Sequence, residues 1–218
     1  MNGDLIDGIL PPGALAVLAG DPQVGKTRLA LQILACLQRN EPVFGHAIRQ
    51  NLRLSYILAN RPRYVDEPAV QAARLDVGLV QFSWVADESD FPAGATPRRL
   101  LERLGSLAPC DLVVVDPLSF FLGNLRTTSS STYPRVLQLC RWCGEHDTAI
   151  LGLHWPSKWR RQSPVRVPSD RLSGSLYSLA ASRMSLASPD QCGHDWTEWT
   201  VDIGGRQLER IKLRFSAV

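Results

Sequence analysis

The 218-residue sequence has no internal repeat, no low-complexity tract and no Pro/Gly/Ser-rich linker, so solenoid and extended disordered architectures are set aside. It also has no apolar run near the roughly eighteen residues a membrane-spanning helix needs. No basic N-terminal stretch leads into an apolar segment. We therefore expect a soluble, cytoplasmic protein with no membrane partner. Charge of one sign is scarce as well. A formal net charge of +3 with 21% charged residues is too mild to mark a polyanion-binding protein by itself, so any nucleic-acid reading must come from where the charges lie. The five cysteines are odd in number and scattered, which fits reduced thiols better than a disulfide framework.

What is present is a 44% hydrophobic chain, long enough to bury one sizeable core, and we expect one domain over residues 1–218. After Pro11-Pro12-Gly13, the apolar run 14–18 reads as a short buried strand. A glycine-containing loop follows, and from Lys26 to Gln38 apolar residues recur at helical spacing. Further strands are expected at 54–58, 79–85, 112–115 and 149–153, with helices at 69–75, 97–107 and 134–145. This alternation predicts an α/β fold with a mostly parallel central sheet covered by helices. Toward the C-terminus a helix is expected at 173–182. Segments 185–187, 198–203 and 209–215 then read as antiparallel strands at the sheet edge, with Gly204-Gly205 as a turn. The polar stretch 127–132 reads as a mobile loop.

The chemistry begins at Gly20-Asp21-Pro22-Gln23-Val24-Gly25-Lys26-Thr27, which matches the phosphate-binding loop pattern. Its glycines let successive backbone N–H groups curl around phosphate oxygens at a helix N-terminus. Lys26 is placed to reach the β and γ phosphates of ATP, and the Thr27 hydroxyl to ligate Mg²⁺. The strand ending in Asp116 presents a carboxylate at the edge where parallel sheets bind ligands, a second candidate for the magnesium shell; the alternative is an Asp that merely caps the turn before Pro117. His154 closes another strand at the same edge, either as a γ-phosphate sensor or as a hydrogen-bonded structural residue.

From 154 to 171, Lys158, Arg160, Arg161, Arg166 and Arg171 face a single acid, Asp170, with Trp155 and Trp159 interleaved. Basic groups contact phosphates and indoles stack on bases, so this segment is the candidate surface for single-stranded nucleic acid; the plainer alternative is a solvated basic loop packed through its tryptophans. Cys140, Cys143, Cys192 and His194 have zinc-like spacings, but Cys140 and Cys143 fall in a helical pattern that explains them as small buried residues.

On these residues the chain resembles the RecA-like ATPases, and within them the plasmid RepA-type hexameric replicative helicases. The resemblance rests on the phosphate loop with Leu29-Ala30-Leu31-Gln32 in its helix, on Val115-Asp116-Pro117-Leu118, and on Leu153-His154 followed by Lys158. Gly174-Ser175, with Arg183 nine residues after the glycine, completes it. The resemblance implies Lys26 and Thr27 for phosphate and magnesium, Asp116 for magnesium, and His154 for sensing the γ-phosphate. It implies further that Arg183 is an arginine finger given to a neighbouring subunit, so that a homo-oligomeric ring or filament shares the site. Three positions depart from the family pattern. Asn60 stands where a glutamate polarises the attacking water, with Asp66 and Glu67 the nearest acids; Trp155 replaces a second His; and Ala180 replaces an Asp before the finger.

Overall fold

The computed structural model describes residues 3–20, 24–58, 81–84, 97–122, 129–154, 179–187, 198–204 and 209–214. Its strands are β1 (Leu15–Gly20), β2 (Leu54–Leu58), β3 (Gln81–Trp84), β4 (Leu112–Asp116), β5 (Ala149–His154), β6 (Ser182–Ala187), β7 (Glu198–Gly204) and β8 (Glu209–Arg214). The helices are α1 (Lys26–Gln38), α2 (Pro97–Gly105), α3 (Leu118–Leu122) and α4 (Ser129–His146). The strands form one sheet in the order β3-β2-β4-β5-β1-β6-β7-β8. From β3 to β6 every pairing is parallel, and β7 and β8 are added antiparallel.

The central strands are mostly apolar because both of their faces are covered. Every residue of β1, β2, β4 and β5 is buried. One face packs Ala16, Leu18, Tyr56, Val114 and Leu151 against Leu29, Ile33 and Leu34 of α1, joined by Leu5, Ile6, Ile9 and Leu10 of the N-terminal segment. The opposite face packs Val17, Val113, Val115 and Ile150 against Leu100 and Leu104 of α2, Leu118 and Phe121 of α3, and Val136, Leu139 and Cys143 of α4. No described helix is long and apolar enough to cross a membrane.

Four expectations need correction. The segment expected to join the edge antiparallel is instead a parallel strand: β6 lies beside β1 in register Val17↔Arg183 and Gly20↔Leu186. It also begins at Ser182, so the helix expected through 182 has ended by Ala180. Ser182 and Met184 are buried there because they complete the α1 side of the sheet next to β1. The polar stretch expected as a loop is helical from Ser129, so α4 starts before Pro134. A proline inside a helix forfeits one backbone hydrogen bond, which the burial of Val136, Leu139 and Cys143 outweighs. Finally, the sequence pattern did not anticipate α3, which is too short for periodicity to show. The helix expected at 69–75 lies outside the described residues.

Candidate nucleotide site

Strand β1 delivers the chain to Gly20 at the C-terminal edge of the sheet, and the loop closes at Gly25, the residue before α1. Gly25 has φ 93°, a left-handed conformation costly for any residue with a Cβ. Among the described residues no side chain caps this end of α1, and the positive end of its dipole lies where the loop closes at Gly25. That is the environment an anion needs. Buried Val24 ties the loop to the core beneath it. Lys26 is also buried, and its Nζ donates to the Gly20 carbonyl at 2.9 Å, spanning the loop from one end to the other.

Asp116 ends β4 on the sheet face that carries α1 and is 6% exposed. Its Oδ2 accepts two hydrogen bonds, from Thr27 Oγ1 at 2.6 Å and from Tyr56 OH at 2.7 Å. Burial raises the Asp116 carboxyl above its ordinary value, offset in part by these two donors and by the charge of Lys26. Burial, then the Asp116 charge, pushes the Tyr56 phenol well above its usual range, so it stays a donor. A hydroxyl and a carboxylate side by side are hard oxygen ligands of the kind Mg²⁺ prefers. Among the described residues no group of three or more His, Cys, Asp or Glu is assembled for a metal.

His154 ends β5, the strand between β1 and β4, and pairs with Ala19 just before the loop. It is wholly buried, and neither ring nitrogen makes a hydrogen bond among the described residues. Burial, then the nearby Lys26 charge, lowers its pKa to about 4, so the imidazole is neutral at pH 7. A buried polar ring without partners is costly and rare in a native core, and it is suited to a ligand that supplies the missing bond. Two residues earlier, Gly152 leaves no room for a side chain: a Cβ there would meet Leu118 Cβ at 3.0 Å and its Cδ2 closer still. The close approach seats α3 directly behind β5.

Of the residues singled out from the sequence, the structure brings together Gly20, Val24, Gly25, Lys26, Thr27, Asp116 and His154 at one sheet edge. It does not bring Arg183 there. Arg183 sits beside Val17, three residues back from Gly20, or about 10 Å at strand rise, on the face of α2 to α4 rather than that of α1. Asp21, Pro22, Gln23, Asn60, Asp66, Glu67, Trp155, Lys158, Trp159, Arg160, Arg161, Arg166, Arg171, Cys192 and His194 lie outside the described residues. Cys140 and Cys143 are packing residues of α4, and the Cys143 thiol is pushed up to about 12 by burial and then by Cys140, which disfavours the thiolate a metal requires. Tyr56 was missed from the sequence. Its signal was a phenol inside a buried strand, which needs a polar partner for its hydroxyl.

Taken together, the left-handed glycine, the lysine spanning the loop, and the hydroxyl–carboxylate pair joining α1 to β4 define the class: a RecA-like P-loop ATPase domain. The AAA domain family matches residues 3–161, and the chain belongs to it. Among solved structures it is similar to one described as an ATPase domain, with a TM-score of 0.62 and 14% identity, over 93% of this chain and 81% of that one. At that identity the likeness is one of fold. No curated protein matches the chain.

Proposed function

We propose that the chain binds Mg-ATP at this edge and hydrolyses it as part of a homo-oligomer acting on single-stranded nucleic acid, as a helicase or translocase of the RepA type. The observation that carries the reading is the 2.6 Å hydrogen bond from Thr27 to Asp116, which joins the phosphate loop to the magnesium strand. In this reading the α1 N–H groups and Lys26 hold the phosphates, while Thr27 and Asp116 hold magnesium. When bound, Mg²⁺ neutralises charge on the phosphate oxygens. His154, neutral and buried, donates one N–H toward the γ-phosphate and reports its presence to β5. Arg183, set back from this chain's own loop, serves a neighbouring subunit, and the basic segment 154–171 contacts the strand. Phosphate release measured with and without single-stranded DNA tests this. Stimulation by DNA, lost in Lys26→Ala and in Arg183→Ala, is expected. A turnover and an oligomeric state that both ignore DNA contradict the nucleic-acid role.

A second reading follows from Asn60, which cannot accept a proton from the attacking water. In it the chain is a nucleotide-gated assembly protein with little hydrolysis. Tight nucleotide binding without phosphate release supports this reading, and brisk turnover by the purified protein excludes it.

A further inference from the structure

Tyr56 is not among the residues the phosphate loop or the strand-end carboxylate calls for, yet it is wholly buried with its hydroxyl on Asp116. It lies on β2 beside Val114, two residues short of Asp116, and Leu58 is the strand neighbour of Asp116 itself. Its ring therefore reaches along the sheet by about two residues, roughly 6.6 Å, to place the phenol on the carboxylate. Packing alone does not ask for a hydroxyl there, because a buried phenol must be hydrogen-bonded to offset its desolvation.

Both donors converge on the same oxygen, Oδ2. The two oxygens of a carboxylate are rigidly related, so holding one of them from two directions also fixes where the other lies. Thr27 alone leaves the carboxylate free to turn about a single hydrogen bond, and the phenol supplies the second direction. We propose that Tyr56 is a positioning residue for magnesium. It locks the rotation of the Asp116 carboxylate so that the metal shell is pre-organised before Mg-nucleotide arrives. This rests on the magnesium-site reading above. It assigns the phenol to the shell of groups that orient a ligand without touching the ion.

The test is binding of a fluorescent ATP analogue, followed by anisotropy in EDTA and across a Mg²⁺ titration, for wild type, Tyr56→Phe and Ile57→Val. Tyr56→Phe is expected to raise the half-saturating Mg²⁺ concentration about tenfold, with binding in EDTA unchanged. Ile57→Val, which trims the same strand on its other face, is expected to lower Tm without moving the Mg²⁺ midpoint. An unmoved midpoint in Tyr56→Phe overturns the proposal, as does an equal loss of binding with and without Mg²⁺, which marks a purely structural residue. Wild-type binding that ignores Mg²⁺ instead overturns the magnesium site on which it rests. If Tyr56→Phe does not fold, fluorotyrosine-labelled wild type answers the question by fluorine NMR, with Tyr64, Tyr133 and Tyr177 replaced in turn for assignment. The Tyr56 resonance is expected to shift when Mg²⁺ joins the nucleotide complex. A resonance that responds to nucleotide and not to Mg²⁺ contradicts the proposal.

Discussion

Two aspartates bracket the same strand: Asp111 just before β4 and Asp116 at its end. Asp111 stands at the edge away from the phosphate loop and is ringed by guanidinium groups. Arg49 Nη2 donates to it at 2.8 Å, Arg53 Nε at 3.0 Å, and the Arg53 backbone N–H at 2.9 Å. Burial alone would raise its pKa, but the Arg53 hydrogen bonds and then the two arginine charges prevail and lower it. Asp116 is more deeply buried, takes hydroxyl donors from Thr27 and Tyr56, and is shifted the opposite way. One carboxylate is neutralised by the protein itself. Among the described residues the other is held by two hydroxyls with the Lys26 charge nearby, and in the proposed reading it is this carboxylate that meets magnesium.

The largest effect expected from breaking this contrast is in Asp116→Asn. The amide oxygen still accepts from Thr27 and Tyr56, and a buried charge disappears, so Tm should hold or rise. Mg²⁺-dependent ATP turnover should fall on the order of a hundredfold or more. Phosphate-release kinetics beside thermal melts check both, and a large Tm loss with intact turnover would make Asp116 a structural residue like Asp111.

Gly152→Ala comes next, as it forces a methyl into Leu118 where β5 meets α3; a loss of about 1–3 kcal/mol is expected in denaturant titration. His154 produces a pH signature. Its folded value of about 4 lies below the ordinary 6.5, so only the unfolded chain takes up a proton as pH drops through that window. Stability should decline from pH 6.5 toward 4 in wild type and decline less in His154→Gln, read from melts across the window.

The smallest effect is at Asp111. Asp111→Asn should lower Tm by a few degrees at neutral pH without changing nucleotide binding. Because the folded value of Asp111 is depressed, its contribution is full above the ordinary 3.8 and is lost as pH falls through the lowered folded value, so the gap to wild type should close in acid. A gap that persists there would mean packing, not charge, holds that edge.

Much of this contrast was legible in the residues alone. The loop from Gly20 to Thr27 is read locally because backbone conformation and a helix start carry its chemistry. Asp116 and His154 were readable as polar ends of apolar strands. Tyr56 was not, since its role depends on β2 lying beside β4, a neighbour relation that periodicity does not encode. The parallel setting of β6 was hidden for the same reason: its partner β1 is at the opposite end of the chain. Pro134 obscured the start of α4 because a local breaker was overruled by tertiary packing.

The most direct test of a nucleotide site at this edge is calorimetric titration of wild type and Lys26→Ala with a non-hydrolysable ATP analogue, in Mg²⁺ and in EDTA. Binding by wild type that is strengthened by Mg²⁺ and lost in Lys26→Ala is the predicted result. Equal binding by the two proteins, or none by wild type, would contradict it.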